Sequence, residues 1–129
     1  MDYEFKCRVY YEDTDFAGIV YYANYLRFIE RARTEALRSL GIDQTLMKLE
    51  YSKLFVVKKI IANYYLPAKF DDLLTVRTTF KNVGNVILNL DQDINRNDDL
   101  IFSAELKIGV VDLEGKPSKL SSNFKLRLT

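Results

Sequence analysis

The chain has 129 residues, 48% of them hydrophobic and 29% charged, and a formal net charge of +1. This length suits a single domain over residues 1–129 that can bury roughly two-thirds of its unfolded surface, and the apolar share argues against disorder. A balance so near neutrality supplies no whole-molecule field for nucleic acid or an anionic membrane, and the absence of any run of about 18 apolar residues leaves no transmembrane segment predicted.

In chain order, Phe5, Cys7, Val9 and Tyr11 alternate with Glu4, Lys6, Arg8 and Tyr10, which predicts a strand over residues 4–12. A loop follows over 13–21, turning around Gly18. From Tyr22 to Leu40 the period lengthens. Tyr22, Tyr25, Leu26, Ile29, Ala32, Ala36, Leu37 and Leu40 fall at helical spacings and form a stripe for burial, with Arg27, Arg31, Glu35 and Arg38 on the other side. Gly41 suits the position just past the helix end, and Asp43 is placed to cap a short second helix over 44–51.

After that helix the period falls to two. Residues 54–66, rich in Phe, Val, Ile and Tyr and stopped by Pro67, predict a strand. Three more follow over 73–83, 86–95 and 100–112, parted by turn signals at Gly84-Asn85 and Asn97-Asp98-Asp99. Gly115-Lys116-Pro117 breaks the chain. In the last dozen residues Phe124, Leu126 and Leu128 read as a strand, whereas Leu120, Phe124 and Leu128 read equally as a helix, so a sixth strand stays open. The order predicts an α+β arrangement: one long central helix wrapped by a five-stranded, or six-stranded, antiparallel sheet. The sheet's other face is polar in places and is left to solvent or to a partner subunit.

The chemistry-bearing residues crowd into 10–25. Glu12, Asp13 and Asp15 stand at a strand end, Gly18 follows, and the helix begins near Tyr22. An acid beside a helix N-terminus suits chemistry on a carbonyl, because aligned backbone N–H groups favour developing negative charge. Asp15 is the leading candidate, although spacing alone favours an aspartate that simply makes the turn. Gly18 fits either an unusual backbone angle or the close approach of a ligand. The N–H groups of Tyr21, Tyr22 and Ala23 are expected to be unpaired, and the tyrosines there to pack.

With no His and one Cys, the chain lacks the parts of a Ser-His-Asp or Cys-His scheme and of a zinc site. Lone Cys7 and a start without an apolar leader predict a reducing cytoplasm. Lys58, Lys59, Lys69, Arg77 and Lys81 read either as phosphate contacts or, for most of them, as a solvated strand face.

The stretch from Val9 to Leu26, Val-Tyr-Tyr-Glu-Asp-Thr-Asp-Phe-Ala-Gly-Ile-Val-Tyr-Tyr-Ala-Asn-Tyr-Leu, followed by Glu30-Arg31-Ala32-Arg33-Thr34-Glu35, closely resembles the YbgC branch of the hotdog-fold thioesterases, within the 4-hydroxybenzoyl-CoA thioesterase family. Phe55-Val56-Val57 and the run from Tyr64 to Asp72 are similar to that family as well. The resemblance covers about residues 6–112. It implies a hotdog fold and hydrolysis of acyl-CoA thioesters, in dimers joined sheet edge to sheet edge, often paired into homotetramers, with sites at the dimer interface.

The resemblance places Asp15 at the catalytic aspartate position, as nucleophile or general base, and the Tyr22 backbone N–H at the position that polarises the thioester carbonyl. Gly18, Ile19, Val20, Tyr21 and Tyr25 take the substrate-binding surround. No metal or cofactor is implied, since the CoA belongs to the substrate. Many members of the YbgC branch carry His where this chain has Tyr22; a main-chain donor needs no particular side chain. The alternative is a non-catalytic acyl-CoA or acyl-carrier-protein binding scaffold in lipid synthesis or Tol–Pal-linked envelope maintenance.

Overall fold

A computed structural model describes residues 2–129. The elements run β1 (Asp2–Arg8), a 3-10 turn (Tyr11–Asp13), α1 (Asn24–Ser39), α2 (Gln44–Tyr51), β2 (Lys53–Tyr64), β3 (Leu73–Val83), β4 (Ile87–Arg96), β5 (Asp99–Asp112) and α3 (Ser122–Leu128). The five strands form one sheet in the order β1-β3-β4-β5-β2. Every neighbouring pair is antiparallel, so β1 and β2 are its edges. This is the hotdog arrangement, with α1 as the long helix packed on the sheet's inner face.

Alternation decides which face is inner. Leu74, Val76 and Thr78 on β3, Leu88, Leu90, Gln92 and Ile94 on β4, and Phe102, Ala104, Leu106, Ile108 and Val110 on β5 are all buried. Phe28, Ile29 and Ala32 of α1 join them in one core. Sequence periodicity passed over Gln92, which lies fully buried in that apolar row. Its amide donates to Ile29 O and Thr78 Oγ1, and its oxygen accepts from Arg33, so a polar stitch ties helix to sheet. Burial holds the Arg33 guanidinium below its ordinary pKa.

The helix starts later than its pattern predicts. Tyr22 and Leu26 are exposed, and Phe28 takes the buried place. A turn closed by the Asn24 N–H on Tyr21 O precedes the first helical residue, so the burial stripe runs through Tyr25, Phe28, Ile29, Ala32 and Ala36. At the other end Gly41 adopts φ 76°, and the N–H groups of Gly41 and Ile42 return to Arg38 O and Leu37 O at 3.0 Å each. That pattern ends a helix on a left-handed residue, where glycine carries no Cβ penalty. Asp43 caps α2 as expected, accepting from the Leu46 N–H at 3.1 Å.

The structure departs from the predicted strands at both ends of the chain. The first strand ends at Arg8, not at residue 12, and Tyr11 is exposed in the 3-10 turn. The C-terminal residues form a helix, not a sixth strand. Ser121 caps it, and Phe124 and Leu128 turn inward while Leu126 faces out.

Candidate active site

Residues 9–25 fold back on themselves between β1 and α1. Thr14 bridges Val20, and the Asp15 N–H donates to Ile19 O at 2.9 Å. The Gly18 N–H closes a four-residue turn on Asp15 O at 3.0 Å, with Gly18 at φ 81°. The unusual backbone angle foreseen for Gly18 is therefore real, and the turn requires it. Asp15 is exposed. Its Oδ1 accepts from the Ala17 N–H at 2.9 Å, and its Oδ2 has no hydrogen-bond partner among the described residues. The turn reading of Asp15 is thus satisfied by one oxygen, and the other is left over.

Asp13 is a different kind of acid. It is 8% exposed, its Oδ2 accepts from the Tyr10 N–H at 2.8 Å, and its Oδ1 accepts from Asn24 Nδ2 at 2.7 Å. Its carbonyl accepts from the Tyr21 N–H at 3.0 Å. One residue thus pins the strand end, the segment before Tyr22 and the first turn of α1. Tyr21 therefore does not offer a free donor, contrary to expectation. The N–H groups of Tyr22, Ala23 and Tyr25 have no acceptor among the described residues, as the first amides of a helix do not.

The loop rests on the segment after β2. Ile19 bridges Lys69, the Val20 N–H donates to Ala68 O at 2.8 Å, and the Ala68 N–H donates to Tyr25 Oη at 3.0 Å. Arg96 binds that segment from below, donating to Pro67 O at 3.0 Å and to Asp72 Oδ2 at 2.8 Å. Burial opposes ionisation of Asp72, but hydrogen bonds from Arg96 and the Lys69 N–H outweigh it and hold the carboxyl below its ordinary range.

The residues expected to surround a substrate separate into two sets. Gly18, Ile19 and Tyr21 are open to solvent or half-buried, whereas Val20 and Tyr25 are 2% and 3% exposed and belong to the core. Tyr25 stacks on Phe102 with ring centroids 5.3 Å apart. Tyr22 is 64% exposed, so of the tyrosines expected to pack only Tyr25 is fully enclosed. Tyr64, which sequence reasoning left in a strand, reaches this corner from β2 and donates its hydroxyl to Tyr22 O at 3.0 Å.

Cys7 is half-buried, and burial, with Asp13 nearby, pushes its thiol up to about 11. Arg77 pairs with Glu4 and Asp2, and Lys81 with Asp91, which leaves the solvated-face reading for both. Among the described residues no group of three or more His, Cys, Asp or Glu is placed to hold a metal, and no helix is long and apolar enough to cross a membrane.

The model of the thioesterase superfamily matches residues 17–103, which begins within the loop, after Asp15, and takes in α1 and most of the sheet. The chain belongs to the thioesterase superfamily. Within it the YbgC branch is matched along most of the chain. It is similar to the acyl-CoA thioesterase YbgC of Haemophilus influenzae, 44% identical over 111 residues that cover 86% of this chain and 82% of that one. It is also similar to the acyl-CoA thioesterase YbgC of Helicobacter pylori, at 37% identity over 83% of this chain and 84% of that one.

Among solved structures this thioesterase-superfamily chain superposes on a "probable thioesterase" from Bartonella henselae with a TM-score of 0.90, at 35% identity over 94% of this chain and 100% of that one. It superposes as well on a 1,4-dihydroxy-2-naphthoyl-CoA thioesterase from Synechocystis with a TM-score of 0.90, over 99% of this chain and 96% of that one; at 21% identity this shows the shared fold.

Proposed function

We propose that this protein hydrolyses acyl-CoA thioesters to the free acid and CoA at the corner formed by the Asp15 turn and the start of α1. The observation that carries the reading is an exposed Asp15 with one carboxylate oxygen unpartnered, in the loop that leads into backbone N–H groups at Tyr22 and Ala23 without acceptors among the described residues. The YbgC relatives, named as acyl-CoA thioesterases, support the substrate class.

The Tyr22 N–H donates to the thioester oxygen as it gains negative charge, an interaction that strengthens in the transition state and is worth roughly 3 kcal/mol of barrier. Asp15 then acts by one of two routes that use the same groups. Its Oδ2 attacks the thioester carbon and CoA leaves as the thiolate, giving an acyl-aspartyl anhydride that water opens. Otherwise the carboxylate takes a proton from water, the resulting hydroxide attacks, and the departing thiolate takes up that proton from Asp15. Both end in free acid, CoA and ionised Asp15. Gly18, Ile19 and Tyr21 face the substrate, with Val20 and Tyr25 supporting the wall from the core.

Assembly follows from the edges. β2 has 12 residues against 7 in β1. It exposes Val57, Ile60, Ile61 and Tyr64 beside an unpaired backbone ladder, a surface that native proteins ordinarily cover. A second copy pairing along β2 covers it and brings two sites to one interface. Such dimers pair further into a homotetramer, and the lone half-buried thiol fits a reducing cytoplasm.

The test is to follow thiol release from short-chain, long-chain and aromatic acyl-CoAs. Release from at least one class is expected; no release from any of them would overturn the reading.

A further inference from the structure

The hydroxyl of Tyr64 donates to the Tyr22 carbonyl oxygen at 3.0 Å. That oxygen accepts nothing else among the described residues, because the Leu26 N–H, which a regular helix would send there, goes to Ala23 O instead. The Tyr22 C=O and the Ala23 N–H belong to one rigid peptide plane and point in opposite directions. Holding the oxygen therefore aims the N–H, and a hydrogen bond accepted at the oxygen strengthens that N–H as a donor.

The preceding peptide is backed in the same way. It carries the Tyr22 N–H, and its oxygen, on Tyr21, accepts from the Asn24 N–H at 2.8 Å. Two successive peptides at the helix start thus have their oxygens held and their N–H groups open. The ring of Tyr64 is fixed for this task, edge-on to Tyr22, Tyr25 and Phe102 at 6.4, 5.4 and 5.1 Å between centroids. Partial burial, with Tyr22 and Tyr25 beside it, pushes the Tyr64 hydroxyl above its ordinary pKa, which keeps the donated proton in place.

We propose that Tyr64 is a positioning residue of the thioesterase site, its hydroxyl holding the Tyr22–Ala23 peptide so that the Ala23 N–H joins the Tyr22 N–H as a second donor to the thioester oxygen. The inference rests on the thioesterase reading and adds to it a residue far away in sequence and a second main-chain donor. Tyr64→Phe removes the hydroxyl and leaves the aromatic packing.

Loss of one oxyanion donor costs about 100-fold or more in kcat, and loosening one of two donors costs less, so the expected loss in Tyr64→Phe is about tenfold in kcat with KM changed by less than about twofold. The thermal midpoint stays within about 4 °C of the parent, because a single hydrogen bond is lost and the aromatic packing is kept. In an amide spectrum of the labelled protein the Ala23 cross-peak shifts more than that of Tyr22. An active parent whose Tyr64→Phe variant keeps its kcat, or loses it only in step with KM or with a collapsed midpoint, overturns the inference and leaves the thioesterase reading standing. A parent that releases no CoA from any acyl-CoA overturns that reading, and the inference with it.

Discussion

Asp13 and Asp15 stand two residues apart and face opposite environments. Asp13 is enclosed and spends both oxygens on fixed donors, Tyr10 N–H and Asn24 Nδ2. Asp15 is exposed, with one oxygen on the Ala17 N–H. The first arrangement suits structure and the second suits chemistry. Asp13→Ala strands two donors around a buried site, and leaving such groups unpaired costs about 2–3 kcal/mol. Urea unfolding is expected to show a loss of that size; a loss below about 0.5 kcal/mol would show that the helix start does not depend on this carboxylate. The distinction was invisible in the string Glu-Asp-Thr-Asp, since burial separates the acids and spacing does not. Cys7, read in sequence as an ordinary strand residue, carries a thiol raised to about 11 by burial and Asp13, so it stays a thiol at neutral pH.

At the scale of elements, the site stands on the segment between β2 and β3. The Arg96–Asp72 pair, 2.8 Å apart, holds that segment on β4, and Ala68 passes the support to Val20 and Tyr25. The Asp72 carboxyl titrates lower in the folded protein than in the unfolded chain. Its contribution is therefore complete above the unfolded value, about 4, and is lost as pH falls through the folded one. Between about pH 5 and pH 3 the urea midpoint of the parent is expected to fall more steeply than that of Asp72→Asn. Parallel falls would assign acid sensitivity to other carboxylates.

Elements whose signals are local were legible in sequence: the Asp43 cap, the Gly41 stop, and the alternation of β3 and β5. Long-range contacts were not. Gln92 pairs with Ile29 and Arg33 across the core, and Tyr64 reaches Tyr22 across 42 positions. Neither partner carries a periodic trace of the other. The C-terminal segment satisfied both periods, and tertiary packing decided it: Phe124 meets Tyr51 edge-on at 5.4 Å, and Leu120 and Leu128 close the core.

For the whole molecule, the family resemblance carries the architecture, because the motif block from Val9 to Leu26 includes both the turn and the helix start. Assembly is the property that periodicity could not reach, since an edge strand reads like any other strand. The long apolar edge of β2 is expected to pair with a second copy. Light scattering at micromolar concentration is expected to give at least twice the chain's mass; a monomer there would contradict a shared interface. The central claim, that Asp15 carries out acyl-CoA hydrolysis at the helix start, is tested most directly by the kcat of Asp15→Asn against the parent on the best acyl-CoA substrate. Asparagine keeps the turn's acceptor and removes the charge, so the account predicts a fall of at least about 100-fold with the fold intact. An Asp15→Asn protein that releases CoA as fast as the parent would contradict it.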